Sequence, residues 1–445
     1  MIILSIQKPV EIYRKYKDGA LKETTALDLL RSYIEHSNNP DIRSKSLEII
    51  QKIDVKNINL FLLLENILIS DSDRNLRRLS AEMIVKTYLK KGLTALRWAL
   101  RMESSPDFFY SIFELLKQRD TELTRSFVIR EIKEILKRRD IYPIHYYIGE
   151  LRTIFSKTDY TEFSLNQLIS MLHNFKFIDH LLKRNEIAFY EVKEGFISKL
   201  SLYPIKRKRL SEINGLKELT SLEGLGISGE IELDCLNKFK ELRTLVIENN
   251  PHMELEIIKN FTKLEILVIS GCKLKQINHL ENLQNLKRVD FEYNNLRKIQ
   301  GLDHLSKLEI LILKCNLISE IDGLDNLRNL KELHLQYNLV SKIKGLPHLQ
   351  NLEVLNLEWN NISKIEGLSK LKNLYFLNLK FNAIHNISGL NKLNKLKNLE
   401  YLNLENNPFN DIRSLRKLGK LRRLSLKTKT ISKKKVRKFF QSLKS

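Results

Sequence analysis

The chain has 445 residues, too many for one compact core and enough for two or three domains. Hydrophobic residues make up 42% and charged residues 29%, as in folded chains, and 15 Gly with 8 Pro exclude a collagenous or linker-like protein. The net charge of +23 is unevenly placed: residues 1–200 contribute +6, Lys206–Arg209 +4, residues 210–409 zero and residues 411–445 +13. A nucleic-acid surface running along the whole chain would not look like this; the field is focused at one end. Three cysteines cannot form a disulfide framework, which points to a reducing compartment. The opening MIILSIQKPV lacks a basic n-region and does not read as a signal peptide. The apolar stretch 58–69 is broken by Asn59, Glu65 and Asn66 and is too short to span a bilayer. A cytoplasmic protein is expected.

Residues 20–200 carry helical periodicity. Ile42, Leu47, Ile49 and Ile50 follow Asn39-Pro40-Asp41, and Leu76, Leu79, Ala81, Met83 and Ile84 follow Asp71-Ser72-Asp73, each a capped helix start. Ile42-Arg43 aligns with Leu76-Arg77, and Ser46-Leu47-Glu48 with Ser80-Ala81-Glu82, at a spacing of 34 residues. This resembles tandem helical hairpins of the HEAT type, with Thr121–Lys137 as a further member; an irregular helical bundle is the competing reading. Aromatic clusters at Phe108, Phe109, Tyr110 and Phe113, and at Tyr142, Tyr146 and Tyr147, read mainly as core. This all-α HEAT-like domain is placed at 1–205, where it would cover the first repeat of the next domain.

A second periodicity begins near residue 210. The pattern L-x-x-L-x-L-x-x-N opens at Leu222, Leu242, Leu264, Leu286, Leu308, Leu330, Leu352, Leu374, Leu399 and Leu421, mostly 22 residues apart. Counting each opening leucine as position one, apolar residues at four and six alternate with polar ones, so one strand face is buried and the other open. Stacked units would form a parallel sheet at about 4.8 Å per rung, roughly 45 Å in all. Position nine is Asn250, Asn294, Asn316, Asn338, Asn360, Asn382 or Asn407, with Cys272 once; a stacked amide there can satisfy turning backbone. The return repeats I-x-G-L-x-x-L, as in Ile299, Gly301, Leu302 and Leu305, its glycine letting the chain bend tightly.

These units resemble the 22-residue subclass of leucine-rich repeat proteins, which includes protein phosphatase 1 regulatory subunits, a dynein light chain and the internalins. The resemblance implies an α/β solenoid, a horseshoe with a parallel sheet on its concave face, and a protein partner bound on that face. It is specific for fold and not for function, because these relatives share a scaffold and bind different things. The solenoid is placed at 206–427, preceded by the all-α domain and followed at 428–445 by a basic capping helix. Three extra residues in the unit from Leu374 would lengthen one convex helix.

Function is sought on the open strand face. Position eight gives Tyr293, Cys315, Tyr337, Trp359 and Phe381, and position three gives Ile310, Val354, Phe376 and Tyr401, bordered by Glu292, Glu332, Glu358 and Glu405. Exposed aromatics with a charged border suit a protein-binding hot spot. A ladder that only stabilises neighbouring rungs is the alternative. At the basic end, Lys433, Lys434, Lys435, Arg437 and Lys438 lie beside Val436, Phe439 and Phe440. That helix closes the array, and a second role for it is contact with nucleic acid or anionic lipid. No CxxC, HExxH, phosphate loop or Gly-x-Ser-x-Gly occurs. The nearest approach to chemistry is His334 with Asp290 in the same column two rungs away and Cys315 on the rung between, without a third group or oxyanion donors. The expectation is a non-enzymatic adaptor, scaffold or regulatory subunit needing no cofactor or metal.

Overall fold

The computed structural model describes residues 8–103, 106–137, 144–187, 189–203, 207–387, 396–413, 415, 421–427, 431, 434, 438 and 441. Two compact units emerge: 1–184 with 192–196, and 185–191 with 197–445.

The first unit is helical. Its helices are α1 (Pro9–Lys17), α2 (Glu23–His36), α3 (Pro40–Ile53), α4 (Ile58–Ser70) and α5 (Arg74–Thr87). There follow α6 (Leu89–Met102), α7 (Pro106–Lys117), α8 (Glu122–Leu136), α9 (His145–Lys157) and α10 (Leu165–Lys183). The expected caps are made: the Asn39 side chain accepts from the amides of Asp41 and Ile42, and Asp73 accepts from Leu76. Helix α2 packs on α3 and α4 on α5; α3, α5, α7 and α10 then form one layer, while α4, α6 and α8 run in another. Successive hairpins therefore stack, as the 34-residue spacing requires. Arg43 and Arg77 make the repeat explicit. Each lies one turn into its helix and reaches a largely buried carboxylate just beyond the next helix, Arg43 to Asp71 and Arg77 to Glu103 at 2.6 Å. Phe108, Phe109, Phe113 and Tyr147 are buried as expected, while Tyr146 is exposed; Tyr142 lies outside the described residues.

The second unit is organised by strands. These are β1 (Phe189–Lys193), β2 (Phe196–Leu202), β3 (Gly224–Ser228), β4 (Thr244–Glu248), β5 (Ile266–Ser270) and β6 (Arg288–Asp290). The rest are β7 (Ile310–Ile312), β8 (Glu332–His334), β9 (Val354–Asn356), β10 (Phe376–Asn378), β11 (Tyr401–Asn403) and β12 (Arg423–Ser425). They form one sheet in chain order, parallel from β2 onward. The register aligns equal repeat positions: Leu311, Leu333, Leu355 and Leu377 stand opposite one another, all fully buried. The sheet begins before the recognised repeats. The stretch 189–202, inside the region expected to be all-α, holds β1 and β2, joined at Glu194-Gly195 with φ of 53° and 81°. Positive φ at both turn residues suits a two-residue hairpin. Ile197, Leu200 and Leu202 repeat positions one, four and six of the unit 25 residues before Leu222, with Leu200 opposite Leu225 and Leu202 opposite Ile227.

Two devices hold adjacent rungs at fixed spacing. The first is the return-segment glycine. Gly301, Gly323, Gly345 and Gly367 have φ between 66° and 74°, and a Cβ on Gly323 would lie 2.4 Å from the Ile299 carbonyl oxygen of the previous rung. The residue is required for close approach as much as for the bend. Gly323→Ala should therefore destabilise the solenoid by about 2–4 kcal/mol, combining left-handed strain with displaced backbone, and a shift in denaturation midpoint would measure it.

The second is the position-nine amide. Asn316 donates through Nδ2 to the carbonyls of Phe291 (2.8 Å), Leu313 (3.1 Å) and Lys314 (3.2 Å), and its Oδ1 accepts from the Leu296 amide (3.0 Å). Asn294, Asn338, Asn360, Asn382 and Asn407 repeat this across their own rungs. At Cys272 the thiol offers only long contacts to the carbonyls of Ile247 (3.6 Å) and Ser270 (3.3 Å). The amide it would have served, that of His252, is taken by Asn250 Oδ1 at 3.1 Å.

Return segments contain short 3-10 turns up to Leu255–Ile258, and from β5 to β10 they turn without any helix. The insertion expected to lengthen a convex helix falls on 388–395, outside the described residues. In the tail, Lys434 and Lys438 are helical and exposed, whereas Lys433, Lys435, Val436, Arg437, Phe439 and Phe440 lie outside the described residues.

Candidate functional site

The open strand face is assembled by register. Position three runs Ile266, Arg288, Ile310, Glu332, Val354, Phe376, Tyr401 and Arg423 from β5 to β12, each directly opposite the next. All but the exposed Arg423 are half-buried, with their neighbours at position four fully inside except Leu424 at the last rung. The Phe376 and Tyr401 rings stack at 4.3 Å with planes 1° apart.

Position eight follows each strand as the chain turns, and it carries a constraint that the residue types do not reveal. Every described residue there has a left-handed backbone. Gly229, Asn249, Gly271 and Asn406 adopt it in the flanking rungs, while Tyr293, Cys315, Tyr337, Trp359 and Phe381 have φ of 54–56°. Inter-rung bonds enforce it: the Tyr337 amide donates to the Glu358 carbonyl and the Trp359 amide to the Lys380 carbonyl, both at 2.9 Å. Left-handed backbone costs a residue bearing a Cβ about 1 kcal/mol, and Gly or Asn much less. Five successive rungs thus hold bulky side chains where the backbone favours small ones.

Those side chains face solvent. Tyr293 is 54% exposed, Tyr337 47% and Trp359 44%, while Cys315 and Phe381 are half-buried. They also touch one another: Tyr337 stacks on Trp359 at 5.8 Å, and Trp359 on Phe381 at 4.1 Å. Stacking returns about 0.5–1.5 kcal/mol per pair, so the two pairs offset much but not all of the strain of about 3 kcal/mol at these three. Tyr293 and Cys315 stack on no ring among the described residues, so a ladder accounts for only part of the column. Lys314 lies over the Tyr293 ring at 5.1 Å instead.

Glu332 stands within the position-three column itself, while Glu292, Glu358 and Glu405 occupy position seven of their units. Glu292 lies 3.5 Å from Lys314, Glu332 meets His334 at 3.0 Å, and Glu358 and Glu405 approach the same Lys380 at 3.8 Å each. Two features of this face were missed. Tyr375, at position two of its unit, is 43% exposed and widens the aromatic surface. Position two otherwise alternates charge as Arg243, Glu265, Lys287, Glu309, Lys331 and Glu353, with ion pairs of 2.7 Å from Glu265 to both Arg243 and Lys287, and 2.8 Å from Glu309 to Lys331. Hydrogen bonds from these cations hold the Glu265 and Glu309 carboxyls below their usual range. The alternation was legible in the repeat alignment.

Among the described residues neither the His334 ring, which meets Glu332, nor Asp290, engaged by Arg288 at 3.1 Å, hydrogen-bonds Cys315. Elsewhere in the unit a cleft of about 530 Å³ is lined by His252, Glu256, Cys272, Lys273 and His279, but burial raises the Cys272 thiol. Burial likewise pushes the Cys235 thiol up to about 11. Among the described residues no group of three metal-binding side chains occurs, and no helix is long and apolar enough to cross a membrane.

The alternating strands, asparagine ladder and return-segment glycines define a leucine-rich repeat solenoid preceded by a helical region. A family model described as Leucine Rich repeats (2 copies) matches residues 328–370, the stretch holding Tyr337, Val354 and Trp359. Such repeats point to protein–protein interaction. No curated protein matches the chain. Among solved structures it is similar to internalin C2 from Listeria monocytogenes, at 25% identity over 41% of this chain and 81% of that one, with a TM-score of 0.37. A second internalin of that organism gives 21%, 57%, 94% and 0.39, and a leucine-rich repeat protein of Leptospira interrogans 22%, 55%, 81% and 0.38.

Proposed function

We propose that the protein is a non-enzymatic, cytoplasmic adaptor or regulatory subunit that holds a protein partner on the concave strand face of its repeats. The residues in contact would be Tyr293, Ile310, Tyr337, Val354, Trp359, Phe376, Phe381 and Tyr401, with Glu292, Glu332, Glu358 and Glu405 at the border. One observation carries this reading: five consecutive rungs keep Tyr, Cys, Tyr, Trp and Phe on left-handed backbone where their neighbours use Gly or Asn. Strain maintained at exposed positions argues for a role outside the fold. Contiguous exposed apolar surface of this kind is uncommon on monomers.

A second reading rests on the +13 charge of residues 411–445, which would favour nucleic acid or anionic lipid at that end. Replacing Lys433, Lys434, Lys435, Arg437 and Lys438 by Gln in the full chain separates the two. The adaptor reading expects a protein complex recovered from native lysate to survive these changes and to be lost with Trp359→Ala. Survival with Trp359→Ala and loss with the glutamines would overturn it. Binding to nucleic acid or to phosphatidylserine vesicles that disappears with the glutamines supports the tether.

A further inference from the structure

We propose that the segment held on the aromatic face is cationic as well as apolar; this rests on the interaction reading above and specifies the partner's chemistry. Along β8 to β11 the open positions of the units carry five carboxylates, Glu332, Glu353, Glu358, Glu400 and Glu405, against two ammonium groups, Lys331 and Lys380. Two of these charges are engaged from outside the four units, Lys331 by Glu309 at 2.8 Å and Glu400 by Arg422 at 3.4 Å, so an excess of three carboxylates stands. Lys380 lies midway between Glu358 and Glu405, 3.8 Å from each. Glu332 has the His334 imidazole as its neighbour, a group that is charged only when protonated. The next rung reverses the sign, with Arg422, Arg423 and Lys427.

The acidic stretch coincides with the rings. Tyr337, Trp359, Phe381, Phe376 and Tyr401 all belong to these four units, and aromatic faces are themselves attractive to cations. Lys314, Lys380 and Arg423 already sit 5.0–5.8 Å from the rings of Tyr293, Phe381 and Tyr401. An arginine or lysine side chain from outside would meet the same geometry at Tyr337 and Trp359, with Glu358 beside it. The chain as a whole is +23, so long-range electrostatics repels a cationic ligand. Attraction must come from this patch within about one Debye length, roughly 10 Å.

The chain has two tryptophans, Trp98 and Trp359, so the full-length Trp98→Phe variant makes emission a local probe of the face. It is titrated with three short peptides of equal length that alternate Phe with Arg, Ser or Glu. The Arg peptide should perturb Trp359 with an affinity at least about tenfold above the Ser peptide, weakening in high salt. Combined Glu353→Gln, Glu358→Gln and Glu405→Gln should remove that advantage, so that the Arg and Ser peptides bind alike. Equal binding of the Arg and Ser peptides, or preference for the Glu peptide, overturns the charge assignment and leaves the aromatic face as an interaction surface. No response of Trp359 to any peptide also overturns it, and the asparagine substitutions argued below then decide the interaction reading separately.

Discussion

Replacing Tyr337, Trp359 and Phe381 together by asparagine should abolish partner binding and leave the solenoid about as stable as before. Asparagine already occupies this position at Asn249 and Asn406, with φ of 55° and 56°, so the substitution imports a residue the backbone accommodates. Relief of left-handed strain returns about 1 kcal/mol per site, while loss of two stacked pairs costs about 0.5–1.5 kcal/mol each. The two nearly cancel. Removing three central aromatics from an interface is different, because single hot-spot residues carry 2 kcal/mol or more, about thirtyfold in affinity. Thermal unfolding of the variant and recovery of the native complex measure the two effects on one sample. A lower melting temperature with the complex intact would return these rings to the role of an internal ladder. Alanine substitutions discriminate less well, since they remove the ring and keep much of the backbone strain.

The repeats were legible because a solenoid writes the same physical requirement many times. Leu311, Leu333 and Leu355 at equal positions announce a buried strand face, and Asn316, Asn338 and Asn360 announce a buried turn. The aromatic residues at position eight masked its backbone conformation. The signal was nonetheless there: Asn249, Gly271 and Asn406 mark a left-handed site in the flanking rungs, and the aromatics between them are the anomaly. Strand β2 escaped although Ile197, Leu200 and Leu202 keep positions one, four and six of the unit, because they stand 25 residues before Leu222 and directly follow a hairpin turn at Glu194-Gly195 that no repeat shares. In the helical unit the 34-residue match was loose because few residues recur. Among those that do, Arg43 and Arg77 each meet a carboxylate at the end of the following helix.

Asn338→Ala should be the most destabilising single substitution in the repeat core that removes no apolar surface. Asn338 is nearly buried, and its Nδ2 donates to the Leu313 carbonyl of the preceding rung at 2.9 Å and to Leu335 and Gln336 of its own at 3.1 and 3.3 Å. Its Oδ1 accepts from the Ile318 amide at 2.9 Å. Alanine leaves the Ile318 N–H and the Leu313 carbonyl without these bonds between rungs, where water cannot replace them. At about 1–3 kcal/mol for each buried group left unmade, a loss of about 3–5 kcal/mol follows. Because each rung is stabilised chiefly by its neighbours, the loss should appear as faster hydrogen exchange at Ile318 and adjacent amides, together with a lower denaturation midpoint. Asn338→Asp makes the chemistry separable. It keeps an acceptor for Ile318 but points carboxylate oxygen at three carbonyls, which raises its pKa in the folded state above the unfolded value of about 3.9. Stability of this variant should therefore be greatest in acid and fall as pH rises through the interval above that value, whereas Asn338→Ala should show no such added dependence. An aspartate variant as stable at neutral pH as the natural protein would mean that the Nδ2 donors are dispensable and that leucine packing alone sets the spacing of the rungs.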